Sequence, residues 1–167
     1  MTQPDSKVPL DAELVNPIIS ATTQVLHTMA NTDAKLKGIR AQPDYFAMGD
    51  ISAVIGITGS KGEGMVALSF TIANASLLVS KLLGISPEQI SSDDRSDGIG
   101  ELANMISGQA KSTLAEQTQS PYKLSLPSII LGSGHQICSR PKGTPYLIME
   151  FEAEGQPFYL QITYKNY

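Results

Sequence analysis

The chain has 167 residues, of which 41% are apolar and 17% are charged, and its formal net charge is −4. This is the length of one ordinary domain with enough apolar residues for a core. The acidic balance, together with the lack of any run of Lys and Arg, argues against a nucleic-acid-binding protein, because phosphate backbones are bound by basic surfaces.

The first ten residues, MTQPDSKVPL, have neither the basic start nor the apolar centre of a signal peptide. No apolar run approaches the roughly 18 residues that a transmembrane helix needs. The single cysteine, Cys138, excludes an internal disulfide and is typical of a reducing compartment. We therefore expect a cytoplasmic protein without membrane contact, in which residues 1–10 are disordered and residues 11–167 form one domain.

A first helix is predicted over Asp11–Met29, where apolar residues recur at helical spacing. Asn16 suits a helix cap and Pro17 suits the first helical position, so the firm helix is expected to begin at Pro17. The following segment GIRAQPDYFAMGD is predicted to be irregular, with strand character around Tyr45–Met48.

A hairpin is predicted next, because ISAVIGITGSKGEGMVALSF has two β-rich arms around a glycine-rich turn. A short amphipathic helix over Thr71–Leu83 follows and is closed by Gly84. ISPEQI reads as a loop or a single turn. Ser92 and Asp93 are candidate caps for a long helix that continues to about Glu116.

Strand segments are predicted after Pro121: SIILGSG, HQICS (with Cys138 as a small strand residue) and PYLIMEFEAEGQPFYLQITYK. The last segment predicts a hairpin around Glu154-Gly155. In its second arm, Phe158, Leu160, Ile162 and Tyr164 alternate with Tyr159, Gln161, Thr163 and Lys165. One buried face is therefore expected, formed by the first set.

The two long helices resemble each other, which indicates an internal repeat. ELVNPIISATTQVL (13–26) and ELANMISGQAKSTL (101–114) share Glu, Leu, Asn, Ile and Leu at matched positions. Each is followed by a strand and a glycine turn, GITGS and IILGSG, although the offsets differ. The alternatives are a pseudo-symmetric fold or a coincidence between two amphipathic helices.

Other patterns in the sequence do not predict chemistry. TGSKGEG lacks the order of a phosphate-binding loop and is explained by a hairpin turn. The two histidines, His27 and His135, fall in different elements, and no second cysteine supplies metal-ligand spacing. No metal site, no cofactor and no nucleophile with its base are predicted in this chain.

The second of the two long helices, which begins near Ser92, carries its unusual residues on one side. At about 100° per residue, the residues that lie within about 60° of Ile99 form the expected core face: Leu102, Ala103, Ile106, Ala110, Thr113 and Leu114. The opposite side carries Asp97, Glu101, Asn104, Gly108 and Lys111. A solvated surface explains such residues, but Asn is a poor helix former and each interior Gly costs roughly 1 kcal/mol against Ala. Gly98 and Gly100 would be explained by close packing of the first helix, and Gly108 by the approach of another molecule.

The segment DGIGELANMISGQAKSTL resembles the phosphatase helix of the CheX branch of the CheC/CheX/FliY family of chemotaxis proteins. The flanking segments NPIISATTQVLHTM, ISAVIGITGSKGEGMVALSF and SLPSIILGSGHQI also resemble that family, so the resemblance covers most of the chain. It implies an α+β fold in two layers, with two long helices side by side on a largely antiparallel sheet and internal pseudo-symmetry. Ala103 departs from the glycine that the family often has.

The resemblance implies a phosphatase that hydrolyses the aspartyl phosphate of a CheY-like response regulator. By motif position, Asn104 would orient the attacking water and Glu101 would pair with the regulator's lysine, while Mg²⁺ would belong to the regulator. Asp97, Gly108 and Lys111 would lie in the contact with that partner. A homodimer is also implied, whereas the sequence itself offers only strand edges that could pair.

Two alternatives to a phosphatase remain at this level: a module that binds a phosphorylated receiver without catalysis, and a structural subunit of a flagellar or signalling assembly. The first helix also contains an acid and an amide at the same spacing, Glu13 and Asn16. They are a possible second site, but Asn16 is better explained as the helix cap that precedes Pro17.

Overall fold

The computed structural model describes residues 12–43, 49–138 and 144–167. Its elements are α1 (Ala12–Ala30), β1 (Lys35–Gln42), β2 (Ile51–Gly59), β3 (Gly62–Phe70), α2 (Ile72–Leu83), a 3₁₀ turn (Pro87–Gln89), α3 (Ser92–Thr118), β4 (Tyr122–Leu124), β5 (Ser128–Leu131), β6 (Tyr146–Ala153) and β7 (Gln156–Asn166). The predictions for residues 1–10 and for Tyr45–Met48 lie outside the described residues.

The fold has two layers, with three helices on one face of a seven-stranded sheet. Every strand pair described is antiparallel, and the order is β1-β6-β7-β3-β2-β4, with β5 also pairing with β2. The main apolar core joins the inner faces of the three helices to the inner face of the sheet. The predicted α+β architecture is therefore confirmed.

The strand order also indicates the internal repeat. Each half consists of a helix, then an edge-strand region, then a hairpin. The first half contains α1, β1 and the β2–β3 hairpin, and the second contains α3, β4 with β5, and the β6–β7 hairpin. Exchanging the two halves turns the strand order into its own reverse. The β2–β3 turn therefore corresponds to the β6–β7 turn, so the alignment of GITGS with IILGSG was wrong.

The start of α1 differs from the prediction. The helix begins at Ala12 and contains both Asn16, which is exposed, and Pro17, which is buried. Asn16 is therefore a surface residue inside the helix and not its cap. Proline this close to the start removes one helical hydrogen bond, and the apolar burial of its ring offsets that cost.

The segment after α1 is a strand where irregular chain was predicted. Residues 38–42 belong to β1, an edge strand paired with β6. Its largely exposed residues follow no apolar alternation, so their strand state comes from the neighbouring strand. Cross-strand ion pairs accompany the pairing, Lys37 with Glu152 at 3.8 Å and Arg40 with Glu150 at 3.6 Å.

The β2–β3 and β6–β7 hairpins and both later helices are confirmed. Thr71 caps α2 by accepting a hydrogen bond from the Asn74 amide at 3.1 Å, and Gly84 ends it with a φ of 71°. The cap of α3 is Ser91, not Ser92 or Asp93. Ser91 and Asp94 form a reciprocal capping box, and hydrogen bonds from the Ser91 hydroxyl and backbone lower the pKa of Asp94.

The outer face of the sheet is partly covered, which corrects two predictions. Gln161 and Thr163 of β7 are buried although a single buried face was expected. Ile137 packs there with Met65 and Ala67, and its carbonyl accepts a hydrogen bond from Gln161. Within the described residues 135–138, the segment predicted as the strand HQICS contains only one bridge, at position 136, and Cys138 is exposed.

Candidate functional site on the third helix

The helix α3 separates its core from its candidate site by direction. Ile99, Leu102 and Ile106 are fully buried, and they pack into the main core. Glu101 and Asn104 are exposed, as the angular spacing predicted. Residues three apart on a helix are surface neighbours, so the carboxylate and the amide stand side by side.

The side chains of this pair are available to a partner. The side chains of Glu101, Asn104 and the exposed Asp97 make no hydrogen bond or ion pair with another residue in the described part of the chain. Further along the same side lie Gly108 and Lys111, both half-buried. From 97 to 111 the five residues span about 21 Å at 1.5 Å per residue.

The glycines of α3 serve different purposes. A Cβ on Gly98 would lie 2.6 Å from a Val79 methyl, so α2 approaches α3 too closely for any side chain there. A Cβ on Gly100 would only touch Ile129, at 3.5 Å, and one on Gly108 would meet nothing within 4 Å. The close neighbour of Gly98 is thus α2, and that of Gly100 is Ile129 of β5, so the predicted packing of both glycines against the first helix was wrong. Gly108 leaves open space beside the pair, as predicted.

A groove that was not predicted from the sequence runs beside the Glu101–Asn104 pair. Its lining is contributed by the ends of α1 and α2 and by the first half of α3: Met29, Leu82, Leu83, Asp94, Asp97, Gly98, Glu101 and Met105. Glu101 therefore belongs both to the acid–amide pair and to the groove wall. Apolar residues at two helix ends were a signal for it, but their meeting depends on tertiary packing.

The second acid–amide set lies apart from this groove. Glu13 and Asn16 are both exposed on α1. The two long helices pack together, with a hydrogen bond between Gln24 and Gln109. Neither Glu13 nor Asn16 lines the groove beside Glu101.

One pairing of serine with histidine was not foreseen. Ser52 Oγ lies 2.6 Å from His135 Nε2, and His135 Nδ1 lies 2.7 Å from the Gly132 carbonyl. A carbonyl only accepts, so Nδ1 donates to it and Nε2 accepts from Ser52. Ser52 is fully buried, so this contact ties the segment after β5 to the sheet and does not expose a nucleophile.

Neither a metal-ligand cluster nor a membrane-spanning helix is found in the described residues. Across 12–43, 49–138 and 144–167, no three His, Cys, Asp or Glu side chains are grouped as metal ligands would be. No helix in these ranges is long and apolar enough to cross a bilayer. The candidate site consists of the exposed carboxylate and amide on α3 and the adjoining groove.

An exposed helix edge of this kind is accessible to the surface of another folded protein. The family model described as "Chemotaxis phosphatase CheX" matches residues 51–152 of the chain. The chain belongs to this CheX family.

Solved structures agree with this assignment. The chemotaxis protein CheX from Desulfovibrio desulfuricans is 34% identical, with a TM-score of 0.81 over 92% of this chain and 99% of that chain. CheX from Vibrio vulnificus is 30% identical, with a TM-score of 0.82 over 92% of this chain and 100% of that chain. No protein with curated annotation matches at a significant level.

A more distant structure contains two proteins. The CheX-CheY-BeF3-Mg²⁺ complex from Borrelia burgdorferi matches with a TM-score of 0.69, at 22% identity, over 91% of this chain and 97% of that chain. At this identity the match shows the shared fold.

Proposed function

We propose that this chain hydrolyses the aspartyl phosphate of a CheY-like response regulator. The observation that carries the proposal is the exposed Glu101–Asn104 pair, whose side chains are directed away from the core and have no partner in the described part of the chain. Membership of a family described as chemotaxis phosphatases supports it, as does the complex of a distant relative with CheY.

The chemistry asks for positioning more than for a reactive group. A water molecule attacks phosphorus, the bond from phosphorus to the aspartyl oxygen breaks, and inorganic phosphate leaves with a free carboxylate behind. The transition state of phosphoryl transfer is loose, so alignment and charge stabilisation contribute most of the acceleration. The Asn104 amide can hold such a water through its oxygen and NH₂ group without gaining or losing a proton.

Glu101 supplies register between the two proteins. A carboxylate that meets a lysine of the regulator forms a charge-assisted hydrogen bond, which is stronger and more directional than a neutral one. Because Glu101 is three residues from Asn104 on a continuous helix, docking at Glu101 fixes where the amide lies. Asp97, Gly108 and Lys111 lie along the same edge and extend the proposed contact.

The remaining parts of the proposal concern the setting of the reaction. Mg²⁺ is expected at the phosphorylation site of the regulator, in keeping with the ion in the relative's complex, and this chain needs no cofactor of its own. We also expect residues 11–167 to act as one domain, as a homodimer, in the cytoplasm.

The lifetime of a phosphorylated CheY-like receiver, with and without this protein, tests the proposal. Wild type should shorten it. Asn104→Ala should return the lifetime to that of the receiver alone, and Glu101→Ala should lower the acceleration by about tenfold or more, because each removes a positioning contact. Glu116→Ala and Gln117→Ala are matched controls, since both residues are exposed on the same helix, and should behave as wild type.

The same measurements separate the alternatives. If wild type binds the receiver but leaves its lifetime unchanged, the protein is a binding module and the phosphatase proposal is wrong. If Asn104→Ala retains full acceleration, the proposed role of the amide is wrong.

A further inference from the structure

We infer that the groove beside Glu101 receives an apolar side chain flanked by lysine or arginine on the surface of the response regulator, and so helps to select that regulator. The inference rests on the proposed function. It adds a docking surface to a site otherwise defined by an acid and an amide.

The apolar part of the groove is exposed without an evident structural need. Leu83 at the end of α2 is 49% exposed and Met29 near the end of α1 is 43% exposed. Leu82 and Met105, which are half-buried, form the floor. Methionine side chains adapt to the shape of an apolar partner, and exposed apolar surface with a polar rim is typical of an interaction site.

The rim of the groove carries charge of one sign. Asp94, Asp97 and Glu101 line it, and no Lys, Arg or His is among its described lining residues. The nearby Arg95 is directed elsewhere, toward the Ile90 carbonyl and Ser76. Asp94 is engaged by Ser91, which leaves Asp97 and Glu101 for a partner. Charge complementarity therefore favours a cationic surface around the apolar anchor.

Contacts between the elements around the groove stabilise its shape. Gly98 lets α2 lie directly against α3 through Val79. At the far end, Glu154 in the β6–β7 turn contacts Lys81 of α2 at 2.5 Å and Thr32, which follows α1, at 3.3 Å. The ends of α1 and α2 are thus joined through one carboxylate, and a preformed surface loses less entropy on binding.

The response regulator is the occupant that fits this position. Glu101 belongs to the groove wall and also stands beside Asn104, so a molecule seated in the groove lies next to the reacting centre. Contacts in the groove exist before and during phosphoryl transfer alike. They should therefore contribute to affinity for the receiver and leave the turnover of the bound receiver unchanged.

Steady-state kinetics of phosphate release, with titration of a receiver activated by beryllium fluoride, test this inference. Leu83→Lys and Asp97→Lys should each raise KM and Kd about tenfold while kcat stays within about twofold of wild type. Asn104→Ala should instead lower kcat and leave Kd close to that of wild type. Ile72→Lys is the matched control, because Ile72 is an exposed apolar residue at the opposite end of α2, and it should change neither constant.

Two further variants and a stability check complete the design. Leu83→Ala should weaken binding through lost apolar contact without a new charge, and Asp97→Asn should reduce the dependence of KM on ionic strength. Thermal unfolding of each variant shows whether the fold is intact.

The outcomes distinguish the two proposals. If wild type accelerates dephosphorylation and the folded Leu83→Lys and Asp97→Lys variants match the Ile72→Lys control in KM and Kd, the groove inference is overturned and the phosphatase stands. If wild type leaves the receiver's lifetime unchanged while Leu83→Lys still weakens binding, the groove stands and the phosphatase fails.

Discussion

Asn104 occupies a helix position where the fold itself has no use for an amide. The residue is exposed, and Glu, Lys or Gln would stabilise a surface helix better. Its exposure was predictable from sequence because the core face of α3 repeats at helical spacing. The role of Gly98 was not, because the Val79 contact joins two helices whose packing no local pattern encodes.

Two of the three glycines of α3 lead to a prediction about stability. Gly98→Ala should lower the free energy of unfolding by about 1 to 2 kcal/mol, because overpacking against Val79 outweighs the gain in helix propensity. Gly108→Ala should raise it by up to about 1 kcal/mol, because its Cβ would meet nothing within 4 Å. Urea unfolding measures both changes, and a destabilised Gly108→Ala would contradict the open space.

Gly108→Ala also tests the proposed contact with the regulator. If the partner's backbone approaches there, this more stable variant should show a raised KM for the phosphorylated receiver. An unchanged KM would remove Gly108 from the interface.

Among the elements, the β6–β7 turn contacts the helical layer at two places, Lys81 of α2 and Thr32 after α1. It has two central residues with positive φ, Glu154 at 53° and Gly155 at 72°, between the paired Ala153 and Gln156. This matches the type I′ hairpin turn, in which glutamate is not a preferred residue. The contacts of Glu154 with Lys81 and Thr32 give a reason for its presence.

The turn predicts a pH dependence of stability. The hydrogen bond from Lys81 is the main cause that lowers the pKa of Glu154 from its ordinary value of 4.5. A lowered pKa in the folded state contributes stability above 4.5 that is lost as the pH falls through the folded value. Glu154→Gln should therefore lower Tm at neutral pH and lose less Tm than wild type below about pH 4.5.

Thermal unfolding across that range, with Lys81→Met as a second variant that removes the same contact, measures the effect. Curves for wild type and Glu154→Gln that stay parallel on acidification would show that this carboxylate does not contribute.

Local signals explain which elements the sequence predicted well. The Thr71 and Gly84 caps and both hairpin turns depend on residues that are adjacent in sequence. For this reason α2 and the hairpins were predicted correctly. The strand β1 depends on pairing with β6, and the burial of Gln161 depends on Ile137 from a distant segment. Neither is visible in a local pattern.

At the scale of the whole molecule, the two halves are equivalent in strand order, but their acid–amide sets differ in their relation to α2. α2 follows the first hairpin and packs against α3, where it forms one wall of the groove. Neither Glu13 nor Asn16 of α1 lines that groove. The acid–amide set on α1 is therefore separated from the groove that α2 helps to form.

This asymmetry leads to a prediction about the second acid–amide set. Glu13→Ala and Asn16→Ala should leave the rate of receiver dephosphorylation within about twofold of wild type, because the proposed docking edge lies on α3 and neither residue lines the groove beside it. The measurement is the decay of the phosphorylated receiver at limiting enzyme. A loss of about half the rate or more in either variant would indicate a second active site on α1.

The division of α3 into a core face and a partner face has a consequence for the protein's descendants. Selection for a folded chain acts on the buried residues and leaves Glu101 and Asn104 free to vary. Under the proposed function, a single change at Asn104 would abolish hydrolysis and keep both the fold and the groove. One mutational step would then convert a phosphatase into a protein that only competes for the same regulator.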